Sequence, residues 1–155
     1  MIRILFVCLG NICRSPMAEF VMKDLVAKRG LAHEFEIASG ATCTDELGNP
    51  VYPPVRKLLA ERGISCAGKT AWQITKQDYA KYDYIVGMDH NNLRNMERIF
   101  GGDPENKLSL LLDHTGESRD VADPWYTRDF RATERDVDNG CEALLKLILS
   151  ERNEK

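Results

Sequence analysis

Residues 2–7, Ile-Arg-Ile-Leu-Phe-Val, are apolar everywhere except Arg3 and run straight into Cys-Leu-Gly-Asn-Ile-Cys-Arg-Ser at 8–15. A short apolar run without polar alternation suits a strand buried on both faces, and such a strand needs helices on both sides of a parallel sheet. The pattern downstream supplies them. Ser15 is expected as an N-cap and Pro16 as the first helical residue; Met17, Phe20, Val21, Met22 and Leu25 form the inward stripe, and Gly30 is the stop. A second strand is expected at 34–38, followed by a polar loop. A helix then starts near Pro54, turns Val55, Leu58 and Leu59 inward, and stops at Gly63. Residues 82–88 read as a third buried strand, and Leu93, Met96 and Phe100 as the stripe of a helix ended by Gly101 and Gly102. Residues 107–112 give a short fourth strand. Val137, Cys141, Leu144, Leu145 and Ile148 recur on one face of a last helix. Strands alternating with helices indicate an α/β fold with a covered parallel sheet, and 155 residues fit one domain, 1–155.

In such sheets ligands bind beyond the carboxyl ends of the strands, near a reversal of strand order. The 8–15 segment leaves the carboxyl end of the first strand and Asp89 leaves that of the third, so both are expected on one rim. A net charge of -3 offers no basic surface for nucleic acid or anionic lipid, so a bound anion must be held by a local site. No stretch approaches the ~20 apolar residues that cross a bilayer. The apolar start leads into Asn-Ile-Cys-Arg, not a small-residue cleavage site, and a cytoplasmic protein is expected. The five cysteines (Cys8, Cys13, Cys43, Cys66, Cys141) are odd in number and include no C-x-x-C pair. That argues against a disulfide framework and a structural zinc site, leaving Cys43, Cys66 and Cys141 as small apolar residues or surface thiols.

The loop itself carries chemistry. Gly10 and Asn11 tolerate left-handed backbone, so the loop can curl its N–H groups inward as an anion nest, and the helix beyond adds its positive dipole end. Arg14 adds a planar fork that matches two phosphate oxygens. The same surroundings favour ionisation of Cys8; thiols so placed have pKa values of about 3.5 to 7.5, against about 8.5 when free. A phosphoryl group held there lies open to in-line attack by sulfur. Taken alone, C-x5-R also fits a buried cysteine, a surface arginine and a plain turn; the flanking strand and helix lower the weight of that reading. The spelling matches neither G-x-x-x-x-G-K-[ST] nor G-x-G-x-x-G, so nucleotide binding by those routes is unsupported. Expelling an alkoxide or phenoxide needs a proton donor. Asp123, in Asp-Pro-Trp-Tyr at 123–126, is the candidate, although Asp-Pro is also a common turn cap.

Val-Cys-Leu-Gly-Asn-Ile-Cys-Arg-Ser-Pro-Met-Ala-Glu at 7–19, Ser-Gly-Ala-Thr at 39–42, the 82–96 stretch and Asp-Pro-Trp-Tyr together resemble a low-molecular-weight protein tyrosine phosphatase over nearly the whole chain. The resemblance implies a three-layer αβα fold with four parallel strands in the order 2-1-3-4. It implies that Cys8 is the nucleophile that becomes phosphocysteine, that Arg14 binds the phosphoryl oxygens and stabilises the transition state, and that Asp123 protonates the leaving oxygen and then activates water. Leu9, Gly10, Asn11, Ile12, Cys13 and Ser15 would line the phosphate site, with Ser15 bonded to the Cys8 sulfur; Trp125 and Tyr126 would border the substrate. Asn11 would hold the strained loop, Ser39 would support Asn11, and Asp89 would orient Arg14. The family needs no metal or other cofactor, and His33, His90 and His114 are scattered. Expected partners are phosphotyrosine proteins or small aryl phosphates, with phosphate as product and inhibitor; neither nucleic acid nor membrane is expected, and the chain would be a monomer or weakly self-associating. Cys13 reads equally as a small side chain and as a thiol able to pair with Cys8 under oxidant. Many relatives carry an aromatic wall in the loop after Ser-Gly-Ala-Thr; here Asp45 falls near that place, so the wall is either missing or supplied by Trp125, Tyr126 or Tyr52.

Three other readings compete. A protein arginine phosphatase of the same fold carries Thr where Ile12 stands, and Ile12 favours a flat phenyl ring over a phosphoguanidinium. An arsenate reductase needs two further cysteines close in sequence, and none lies between Cys66 and Cys141. A non-catalytic phosphate-binding signalling module needs no acid, so the joint presence of Cys8, Arg14 and Asp123 speaks against it.

Overall fold

Strand β1 (Ile2–Cys8) lies inside a four-stranded parallel sheet in the computed structural model, which describes residues 1–117 and 119–153. Its neighbours are β2 (Phe35–Ala41) on one side and β3 (Tyr84–Gly87) on the other, with β4 (Leu108–Leu110) beyond β3. The order is therefore 2-1-3-4, as the resemblance implies. Strand order reverses at β1, so the crevice at its carboxyl end is where an open α/β sheet offers a binding site.

Alternation along β1 divides the core in two. Ile4, Phe6 and Cys8 face Met17 and Val21 of α1 (Arg14–Lys28), Val55 and Leu59 of α2 (Pro53–Glu61), and Val137 and Leu144 of α6 (Phe130–Asn153). Leu5 and Val7 face Tyr79 of α3 (Asp78–Lys81) and Met96 and Phe100 of α4 (His90–Phe100). From Ile4 onward both faces of β1 are buried, which is why its sequence there shows no polar alternation, and the exposed Arg3 lies at its start. The last helix α6 presses on the 3-10 turn Leu111–Thr115: a Cβ on Gly140 would stand 2.3 Å from Leu111 Cγ.

Several boundaries differ from the sequence expectation. The second strand runs on to Ala41 because Ser39, Gly40 and Ala41 continue the parallel register opposite Phe6, Val7 and Cys8. The fourth strand ends at Leu110, whose N–H donates to Asp113 Oδ2 at 3.0 Å as the chain tightens into the 3-10 turn. Ser15 is not an N-cap. The helix α1 starts at Arg14 with Cys13 as its cap residue, so Ser15 and Pro16 sit inside the first turn, where the missing proline N–H costs nothing. The Ser15 hydroxyl is thereby free for the loop. Among the described residues no helix is long and apolar enough to cross a membrane.

Candidate active site

The loop 8–15 wraps around the Cys8 sulfur. Asn11 N donates to Cys8 Sγ at 3.3 Å, and Ser15 Oγ lies 2.9 Å from the same atom, all three residues being buried. Asn11 takes the left-handed conformation, φ +60°, and directs Nδ2 to Ser15 Oγ and Ser39 Oγ at 2.9 Å each. Gly10 differs from expectation: its φ is not left-handed, and what its position needs is room, since a Cβ there would meet Glu46 Cγ at 3.2 Å. Beneath the loop, Ser39 Oγ donates to Glu19 Oε1 at 2.6 Å and Lys69 Nζ donates to Ser39 O at 2.6 Å. Lys69 also lies 3.4 Å from Glu19, and Lys23 bonds the other Glu19 oxygen at 2.6 Å. Burial lowers the Lys69 pKa despite Glu19 beside it.

Arg14 enters the same space from the first residue of α1, nearly fully buried. Its Nη2 lies 2.9 Å from Asp89 Oδ2 and 3.4 Å from Asp123 Oδ2, and its Nη1 donates to Val121 O at 3.2 Å. Both aspartates are helix N-caps. Asp89 Oδ1 accepts from Asn92 N at 2.7 Å at the start of α4, and Asp123 Oδ1 accepts from Trp125 N at 3.0 Å at the start of α5 (Pro124–Thr127). In each case one oxygen caps the helix and the other faces Arg14, so the turn-cap reading of Asp123 and its presence at the site are both satisfied. Burial disfavours the guanidinium charge, but Cys8, Asp123 and Asp89 outweigh it and raise the Arg14 pKa. Arg14 is a fixed cation.

These groups open into a cavity of about 290 Å³. Cys8, Leu9, Gly10, Ile12, Cys13 and Arg14 form its base; Asp123, Trp125 and Tyr126 form one wall, and Cys43, Asp45 and Glu46 the other. The aromatics are notably exposed, Trp125 at 53% and Tyr126 at 84%, and Trp125 leans on Tyr52 with ring centroids 5.4 Å apart. The aromatic wall thus comes from α5, with Tyr52 behind it. Burial, helped by the Cys8 and Asp123 charges, pushes the Cys13 thiol up to about 12, so Cys13 stays protonated at neutral pH. Among the described residues no cluster of three His, Cys, Asp or Glu side chains is arranged to hold a metal ion.

Asn11 and Ser15 meet the sulfur, Ser39 and Asp89 stand behind the loop and the arginine, and Cys8, Leu9, Gly10, Ile12, Cys13, Arg14, Asp123, Trp125 and Tyr126 line the cavity, whereas Tyr52 does not. Sequence reasoning missed Glu19, Lys69 and the Val121 carbonyl. Glu19 had a signal: it falls four residues after Ser15 and three before Met22, on the face of α1 that turns inward. Lys69 and Val121 lie in irregular segments where no periodicity marks a side.

A buried thiol at the mouth of a parallel sheet, ringed by hydroxyl, amide and guanidinium donors with a carboxylate opposite, has the make-up of a phosphate-monoester site. The family model described as low molecular weight phosphotyrosine protein phosphatase matches residues 3–154, and the chain belongs to that family. It is 40% identical over 154 residues to the low molecular weight protein-tyrosine-phosphatase YfkJ of Bacillus subtilis, covering 98% of this chain and 99% of that one. The crystal structure of YfkJ superposes with a TM-score of 0.94 over 97% of this chain and 96% of that one. PtpA of Staphylococcus epidermidis, likewise named a low molecular weight protein-tyrosine-phosphatase, is 35% identical over all of this chain and 99% of its own length. A Drosophila arginine phosphatase is similar at 30% identity, with a TM-score of 0.84 over 94% of this chain and 97% of that one.

Proposed function

We propose that the chain hydrolyses phosphotyrosine and other aryl phosphate monoesters through a phosphocysteine at Cys8. The single observation that carries this reading is the Cys8 sulfur, which meets Asn11 N and the Ser15 hydroxyl in the cavity shared with Arg14 and Asp123. Those contacts fix the sulfur in place as the attacking atom. The substrate dianion settles on the Arg14 fork and the loop amides and takes the place of Asp123 at the guanidinium edge, leaving Asp123 to act as the proton donor. Sulfur attacks phosphorus as the phosphorus–oxygen bond breaks, and Asp123 gives its proton to the departing phenoxide. Asp123, now a carboxylate, takes a proton from the water that attacks phosphorus as the S–P bond breaks. Phosphate leaves, and the returning thiolate is received by Ser15 O–H. Arg14, kept planar and oriented by Asp89 and Val121 O, carries the charge that builds on the equatorial oxygens.

Similarity to an arginine phosphatase keeps phosphoarginine as the second reading. Against it stands Ile12, whose aliphatic side chain lines the cavity and suits a flat ring. Hydrolysis of p-nitrophenyl phosphate by the wild type but not by Cys8→Ser tests the main reading. Asp123→Ala is expected to lower turnover of phenyl phosphate, a poor leaving group, by roughly 10² to 10⁴. Full activity of either variant would refute the corresponding role, and faster turnover of phosphoarginine than of phosphotyrosine would favour the second reading.

A further inference from the structure

Four charged side chains line the cavity, Arg14, Asp45, Glu46 and Asp123. Arg14 is the one cation among them, and it is already engaged by Asp89 and Asp123. Asp45 and Glu46 form no salt bridge among the described residues. Their segment is tied to the phosphate loop at both ends. Thr42 N and Cys43 N donate to the carbonyls of Cys8 and Leu9 at 3.1 Å each, and Tyr52 N donates to Ile12 O at 2.9 Å. Glu46 Oε2 is further held by Asn49 Nδ2 at 2.6 Å, and the Glu46 stem packs against the Gly10 position. The segment's backbone and the Glu46 side chain therefore hold both residues in the cavity wall.

The opposite wall is aromatic. A tyrosine ring reaching down to the sulfur would pass between Trp125, Tyr126 and Ile12, and the residues beside that tyrosine in a peptide would cross the rim. An acidic neighbour would meet Asp45 and Glu46 with no lining cation to spare. A basic neighbour would meet two unpaired carboxylates.

We propose that Asp45 and Glu46 are specificity-determining residues that select phosphotyrosyl segments flanked by Lys or Arg and disfavour acidic flanks. This rests on the phosphatase reading above. Rim charges act through solvent, so the selection is moderate and salt-dependent.

The test uses two peptides with the same phosphotyrosine core, one flanked by Lys and Arg and the other by Glu and Asp. At low ionic strength the wild type should favour the basic peptide in kcat/KM by roughly 5- to 20-fold. The ratio should fall within about 2-fold of unity in the double variant Asp45→Asn, Glu46→Gln, and shrink in wild type at 1 M salt, where the screening length is about 3 Å. Because each ratio is taken within one enzyme, a change in overall activity cancels. Equal rates in wild type, or a preference that survives the double substitution, overturn the proposal. If the wild type hydrolyses neither peptides nor p-nitrophenyl phosphate, the catalytic reading fails instead. Binding of the two peptides, followed by fluorescence anisotropy, then decides the rim's role: stronger basic-peptide binding that the double variant loses upholds it, and equal binding overturns it.

Discussion

Arg14 Nη2 donates to Asp89 Oδ2 at 2.9 Å, between two side chains almost withdrawn from water. Asp89 is held in turn by its cap on α4, whose Asn92 side chain accepts from Met88 N and Asp89 N. The helix start thus fixes the arginine. Replacing Asp89 by Ala removes a charge-assisted hydrogen bond of about 1.5–3 kcal/mol and a cap of about 1 kcal/mol. The expected outcome is a fall in kcat/KM on p-nitrophenyl phosphate of roughly 10- to 100-fold, with a lower Tm. Asp89→Asn keeps an oxygen for the cap and should recover most of the Tm but not the rate. Steady-state kinetics beside thermal denaturation separates the two effects.

Asn11 joins backbone strain to buried polarity. Alanine at φ +60° costs about 1–2 kcal/mol and leaves Ser15 and Ser39 without the amide donor, so Asn11→Ala should lose about 2–4 kcal/mol in urea denaturation. Asn11→Gly relieves the backbone strain alone. It should regain about 1–2 kcal/mol of that loss while turnover stays low; equal stability of the two variants would show that the left-handed turn is not under strain.

The segment that carries Val121 and Asp123 is moored to α6. Arg119 grips Asp136 with two bonds at 2.7 and 2.9 Å, and Asp136 also accepts from Ala122 N at 3.0 Å. Burial works to raise the Asp136 pKa, but the Arg119 fork and the Ala122 amide outweigh it and hold the carboxyl below its ordinary 3.8. A depressed carboxyl adds stability above its unfolded pKa and loses it as pH falls through the folded one. Asp136→Asn should therefore be less stable than wild type by about 1–3 kcal/mol at pH 7, and the gap should close as pH is taken below 3.8. Denaturation curves at several pH values read this directly, and a gap independent of pH would contradict it.

Gly140 tests the packing of α6 on the 3-10 turn. A methyl group there would overlap Leu111 Cγ, and backbone on both sides is confined by core residues. Gly140→Ala is expected to destabilise by about 1–3 kcal/mol even though alanine is the better helix former, and an increase in Tm would show that Leu111 yields freely.

Much of this was legible in the sequence. The apolar run indicates a strand buried on both faces, which holds from Ile4 onward, and the five-residue stripe of α6 is buried at every position. The loop spelling singled out residues that share one cavity. What escaped the sequence depends on contacts between distant segments. Helical spacing could put Glu19 on the inward face of α1, but it could not name Ser39 as its partner or bring Lys69 beneath Ser39. Ser15 before Pro16 reads as a cap because capping and loop-bracing chemistry use the same hydroxyl, and here that hydroxyl meets Cys8 instead. The short helix α5 and the mooring of its approach by Asp136 follow from tertiary packing over few residues, where local propensity is weak.

The central claim is that the Cys8 sulfur carries the phosphoryl group. Acid quenching of Asp123→Ala during turnover of p-nitrophenyl phosphate, followed by mass spectrometry of the peptide containing residue 8, measures it directly, because slowed hydrolysis lets the intermediate accumulate. The account predicts one added phosphoryl group on Cys8, absent when Cys8 is replaced by Ser. Continued turnover with that cysteine unmodified, or equal turnover by Cys8→Ser, would contradict it.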